Sequence, residues 1–203
     1  MAKVKWKMSL ALILSGMLGA PAVASAHASG RITEVIRFVP HTPGRGMLRG
    51  YCWTGSIAIA RSDAWRCMAG NEIFDPCFED KDKGFVVCDP NPAKGDPGLR
   101  MKLTKPLPEA ERQTGRVGGQ GAWLVELADG TTCRPRTGAG WEVQGKIVNY
   151  YCESSQKGIE IDLLGELDSS KPLWTAEKAS IIQGAEGPNL INLQRAAIKR
   201  VWR

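Results

Sequence analysis

Six cysteines, at positions 52, 67, 77, 88, 133 and 152, constrain this chain more than any other feature. The residues between successive cysteines number 14, 9, 10, 44 and 18. Zinc centres usually take ligand pairs two to four residues apart, so that one turn delivers two thiolates. No such pair exists here, and no Cys-x-x-Cys is present to lower a thiol pKa for redox catalysis. An even set at wide spacing reads instead as a framework of disulfides. Cys52, Cys67, Cys77, Cys88, Cys133 and Cys152 are therefore expected to be paired, with no metal and no cofactor.

The first residues agree with that chemistry. MAKVKWK carries three lysines, MSLALILSGMLGA is apolar, and PAVASAHA is small. This is the pattern of a secretory signal peptide over residues 1–28, cleaved after Ala26 or Ala28. Its apolar run is short for a membrane span, which takes about 20 residues. Cleavage removes Lys3, Lys5 and Lys7 and no acid, so the formal charge of +6 falls by three to +3. That balance is too mild for nucleic-acid binding, which needs a basic stripe or cluster. The one basic cluster, Lys199, Arg200 and Arg203, reads as a solvated tail. No later segment is long and apolar enough to anchor in a membrane. The expected location is exported, periplasmic or secreted.

Residues 29–203 are enough for one domain with a core. RITEVIRFV, SIAIA, GFVV, LRMKL, AWLVEL, KIVNYY, GIEIDLL and LWTAEKASII are short, alternating and separated by turn residues, as strands are. The fold class is mainly β: a compact antiparallel sandwich or barrel-like domain with one short helix and disulfide-braced loops. The helix is expected in RSDAWRCMAG, capped by Ser62 or Asp63 and ended by Gly70. LINLQRAAIKRVWR is open to helix or strand, and the β-rich context favours strand. KPLPEAERQTGRVGGQG divides possible subregions 29–105 and 119–203 of a single domain. FDPCFEDKDKGFVVC reads as a hairpin that sets Cys77 across from Cys88. TTCRPR and IVNYYC read as neighbouring strands that set Cys133 across from Cys152, which leaves Cys52 for Cys67.

The catalytic inventory is poor. His41 is the one histidine of residues 29–203, and it sits in a Pro- and Gly-rich loop. Ser56 lacks the G-x-S-x-G elbow and reads as a strand-end hydroxyl. EDKDKG has part of a calcium loop, Asp80, Asp82 and Gly84, without the distal ligands, and reads as a hairpin tip. TGRVGGQG lacks the lysine of a phosphate loop. Asp63, Asp75, Glu126, Glu160 and Asp162 are the candidates for paired-carboxylate hydrolysis, and no spacing favours one pair. The tryptophans are the better lead. Trp53 and Trp141 are the candidate ligand-binding residues, Trp141 because glycines bracket it. Trp65 and the acidic tip from Glu79 to Asp82 are expected on the same display surface as Trp53.

Cys52-Trp53-Thr54-Gly55-Ser56, Arg66-Cys67, Asp75-Pro76-Cys77-Phe78, Asp129-Gly130, Cys133, Tyr151-Cys152 and Pro172-Leu173-Trp174-Thr175 together resemble exported bacterial domains of uncharacterised function. The resemblance covers most of residues 29–203 and implies no activity. The residues point to a non-enzymatic binding module of the bacterial envelope or exterior, taking a protein or glycan ligand. The other classes are a small carboxylate-dependent hydrolase of envelope polysaccharide and a protease-inhibitor-like module.

Overall fold

A computed structural model of the chain describes residues 32–40, 45–109, 121–185 and 187–203. The described residues form the strands β1 (Glu34–Ile36), β2 (Arg45–Gly55), β3 (Ala64–Ala69), β4 (Glu72–Glu79), β5 (Phe85–Cys88), β6 (Leu99–Leu103), β7 (Leu124–Leu127), β8 (Thr132–Pro135), β9 (Glu142–Val143), β10 (Lys146–Cys152), β11 (Ile159–Asp168), β12 (Thr175–Gly184) and β13 (Gly187–Trp202). A single 3-10 turn at Pro92–Lys94 is the only helical geometry among them. The chain is mainly β, as the alternation requires.

Strands β2 to β6 follow one another up and down and close into a five-stranded barrel. An odd meander leaves its first and last strands pointing the same way, so β2 and β6 close it as a parallel pair. Its interior is Cys52, Trp65, Cys67, Cys77, Val86, Cys88 and Met101, each the inward residue of an alternating strand. Within β2 one position admits no side chain. A Cβ on Gly50 would stand 2.1 Å from the Met68 carbonyl oxygen and 2.7 Å from Met101 Sδ.

The segment expected to be helical is β3, and SIAIA, expected to be a strand, is a bend. The two differences have separate physical origins. Gly70 adopts φ 59° and Asn71 follows it, so Ala69 pairs with Glu72 across a two-residue hairpin turn. A left-handed glycine ends a helix or turns a hairpin equally well. The register of Trp65 and Cys67 against β2 and β4 decides it. The Asp75 carboxylate then draws the SIAIA segment out of sheet pairing: it accepts from Ser56 Oγ, at 2.5 Å, and from the Ile57 and Ala58 amides.

The remaining strands form an eight-stranded sheet. β13, the longest strand, pairs with β12 along Gly187–Ala197 and with β7 along Ile198–Trp202. The second pairing closes the cycle β7–β8–β10–β11–β12–β13, and an even cycle can be antiparallel throughout. Leu127, Tyr150, Leu163 and Ile198 fill its interior with Cys133 and Cys152. β1 adds to β13 in parallel at Glu34–Ile36, so the described residues start on this sheet, leave it to build the barrel, and return.

The two bodies share a core made of Ile59, Ala64, Phe78, Trp123, Leu124 and Trp202. At its centre the rings of Phe38, Phe78 and Trp123 lie 4.9, 5.2 and 5.1 Å apart, at tilted to edge-on angles, the arrangement aromatic quadrupoles favour. Arg61 covers Phe78 and donates to the carbonyls of Phe38 and Arg203, which ties barrel and sheet together. The carboxyl-terminal basic cluster is part of this build rather than a solvated tail. Lys199 and Arg200 both pair with Glu126, and Arg203 stacks over Trp174.

Candidate ligand-binding groove

The three disulfides are Cys52–Cys67, Cys77–Cys88 and Cys133–Cys152, each joining adjacent antiparallel strands at directly opposed positions. Cys67, Cys77 and Cys88 bring their sulfurs within 4.8 Å of one another. This is the packing of two disulfides inside a narrow barrel, and no free cysteine remains among the described residues to ligate a metal.

Of the sequence candidates, several have structural partners that account for them. Asp63 pairs with Arg61. Glu126 is held by Lys199 and Arg200 and sits below the usual carboxylate range. Ser56 is buried, and its hydroxyl accepts from the amides of Ala58 and Ile59, as a turn-closing hydroxyl does. Asp80 and Asp82 clasp Arg100 at the β4–β5 tip. The cleft beside that tip, about 490 Å³, is therefore lined by acids already partnered. Trp65 is not displayed: it is 3% exposed, and its indole N–H donates to Glu79 at 3.0 Å. Trp53 is 39% exposed, edge-on to Tyr51, with the Arg66 guanidinium 5.8 Å from its ring. His41 lies outside the described residues.

Glu160, Asp162 and Trp141 come together, and two patterns in the sequence place them. In GIEIDLL the period of two sends Ile161 and Leu163 inward and turns Glu160, Asp162 and Leu164 to the opposite face. On that face Leu164 joins Val148, Ala179 and Ile181 in a second apolar patch. An outward apolar patch needs a cover, and the segment after β8 supplies one. It crosses as β9, turns at Gln144-Gly145 with φ 52° and 73°, and returns as β10. Val143 and Trp141 thereby lie on the patch, with Leu190 of β13 beside them. Lys146 fastens this flap to Glu177 of β12 at 2.6 Å.

Asp162 sits at the margin of the flap, and its side chain is 1% exposed. Register sets it opposite Tyr151 of β10, and Tyr151 in turn opposite Arg134 of β8. Arg136, just past β8, approaches Asp162 Oδ2 to 3.5 Å and lies 5.1 Å over the Trp141 ring. Asp162, Tyr151, Arg136 and Trp141 line an open cleft of about 660 Å³ together with Glu160, Ser154 and Gln183. Asp162 Oδ2 and Arg136 Nε are both buried without a hydrogen-bond partner in the protein. Burial pushes the Asp162 carboxyl up to about 6; the Arg136 charge opposes the rise and Glu160 adds to it. A buried acid with an oxygen that no hydrogen bond completes, a guanidinium with a free Nε–H and two aromatic rings around one cleft are the parts of a polar ligand site.

Arg136 and Tyr151 were not among the sequence candidates. The signal for Tyr151 was present in NYYC: adjacent tyrosines on a strand face opposite ways, so one must point out. Nothing local marks Arg136, whose role depends on where the flap carries Trp141. Compared with known proteins, the chain matches no family model, no curated protein and no solved structure.

Proposed function

We propose that this chain is an exported, disulfide-braced binding module and that the groove around Asp162 is its ligand site. The observation that carries the reading is the Asp162 carboxylate, buried at the margin of an open cleft, with Oδ2 held by no hydrogen bond and only by a long ion pair, 3.5 Å, to Arg136. Keeping such a group costs stability unless something outside the chain completes it. Export is supported by the basic, apolar and small-residue order of residues 1–28 and by three disulfides, which persist in oxidising compartments. No helix among the described residues is long and apolar enough to cross a membrane.

The test uses the oxidised chain sedimented with insoluble envelope polysaccharide, beside Asp162→Asn and Arg136→Gln. Retention that both variants lose supports the groove. Retention that neither variant changes places the ligand elsewhere and refutes the reading.

A second reading, hydrolysis, is favoured by one feature. Asp162, with its raised pKa, and Glu160 share a face of one strand, and a protonated acid beside a carboxylate is the pairing used in glycoside hydrolysis. Release of reducing ends from the same polysaccharide, abolished in Glu160→Gln, would move the assignment from binding to catalysis.

A further inference from the structure

We infer that the ligand is a neutral oligosaccharide of at least two sugar units, lying across Tyr151 with one unit against Asp162 and Arg136 and the next against Asn91 and Thr132. The inference rests on the groove reading above and adds the chemistry and length of the ligand.

Tyr151 is 44% exposed and borders two clefts, the one of about 660 Å³ already described and a neighbour of about 360 Å³. The neighbour lies where β8 and β10 meet the 89–96 segment between β5 and β6 of the five-stranded barrel. Asn91 and Thr132 are 5% and 3% exposed, and Asn91 Oδ1 and Thr132 Oγ1 have no hydrogen-bond partner in the protein. Asn91 is aimed by its other end, since Nδ2 donates to Glu153 at 3.2 Å. The lining of each cleft thus includes a buried acceptor and a buried group that can donate: Asp162 Oδ2 and Arg136 Nε in one, Asn91 Oδ1 and Thr132 Oγ1 in the other.

Adjacent hydroxyls of a sugar ring match such pairs, because each hydroxyl both donates and accepts. The C–H face of the ring rests on an aromatic surface, which Tyr151 supplies between the two pairs. Other ligand classes fit less well. Acids (Asp162, Glu160, Asp89, Glu153) interleave with Arg136 and Arg134 along the groove, so a uniformly charged polymer meets like charge at both clefts. A peptide adding as a strand needs an unpaired edge, whereas the register of β10 and β11 gives each a partner on both sides here.

Titration calorimetry of the oxidised chain tests this with gluco-, manno- and N-acetylglucosamine oligomers of one to six units. Chitosan oligomers and oligogalacturonates serve as charged contrasts. Affinity is expected to rise about tenfold or more from one unit to two or three, the worth of one added set of buried hydrogen bonds. Tyr151→Ala, at an exposed site, and the isosteric Thr132→Val should bring longer oligomers back to single-unit affinity, while Asp162→Asn weakens every length. Equal affinity for one unit and several, or binding of the charged oligomers alone, overturns the inference; sensitivity to Asp162→Asn in those cases leaves the groove reading standing. Neutral oligomers that bind unaffected by both Asp162→Asn and Arg136→Gln would overturn the inference and the groove reading together. Failure of every neutral oligomer to bind at millimolar concentration also overturns the inference.

Discussion

Replacing Asp162 by asparagine should stabilise the fold at neutral pH while removing binding. The side chain is 1% exposed, and burial raises its pKa from 3.8 to about 6. Between those values the folded chain holds a proton that the unfolded chain has released, so stability falls as pH rises through the interval. Above it the full penalty applies, about 3 kcal/mol for an interval of about two pH units. Asparagine carries no charge and fills the same space, but its NH2 is buried without an assigned partner, which offsets about 1 kcal/mol. The net gain is about 2 kcal/mol at pH 7, or about 4–8 °C in Tm for a chain of this size. The gain must shrink as pH falls and change sign between about pH 4 and 5, where the wild-type carboxyl is already protonated. Calorimetric scans of both oxidised proteins from pH 4 to 7.5 measure it. A Tm difference independent of pH, or a variant less stable at pH 7, refutes the account of Asp162.

Other perturbations probe the frame that holds the groove. Converting Cys133 and Cys152 together to serine opens a link of sequence separation 19 beneath β8 and β10; urea titration should show a loss of about 3 kcal/mol. Gly50→Ala forces a Cβ against the Met68 carbonyl, and a stability loss of about 3 kcal/mol or more, or failure to fold, should follow in the same assay. Arg61→Met leaves the Phe38 and Arg203 carbonyls without that donor at the junction of the two bodies; about 2–4 kcal/mol should be lost on thermal melting. Trp141→Ala uncovers Val148, Leu164, Ala179 and Ile181, and hydrogen exchange across 141–148 should accelerate while protection of β2 to β6 is unchanged.

Much of the frame was legible because it depends on local periodicity. GIEIDLL and LRMKL alternate with period two, and their inward residues could be read directly, whereas in KIVNYY a register shift between Val148 and Tyr150 breaks the period and sends the two to opposite faces. Two of the disulfides followed from the same signal, since paired strands bring Cys77 across from Cys88 and Cys133 across from Cys152, and Cys52–Cys67 followed only by elimination. RSDAWRCMAG was harder to read, because Gly70 suits a helix end and a hairpin turn alike and the choice rests with strands on either side. SIAIA alternates as a strand does, yet Asp75, distant in sequence, takes its hydroxyl and two of its amides. The basic run at 199–203 could not reveal Glu126 as the partner of Lys199 and Arg200, because that contact spans more than seventy residues.

The candidate site divides in the same way. Glu160, Asp162 and Trp141 stood out by residue type, and alternation alone put both acids on one face. The sequence by itself determined that the chain is β-rich, that its cysteines pair, and that it offers carboxylates and tryptophans with little histidine. Only the tertiary structure decided which of them matter together. Closing β13 on β7 turns one sheet face inward and leaves Leu164, Ala179 and Ile181 outside. Covering them brings Trp141 across the sheet with Arg136, and Asp162 is buried at the edge of that cover. Burial, and with it the raised pKa and the oxygen that no hydrogen bond completes, is a property of the packed neighbours rather than of the aspartate.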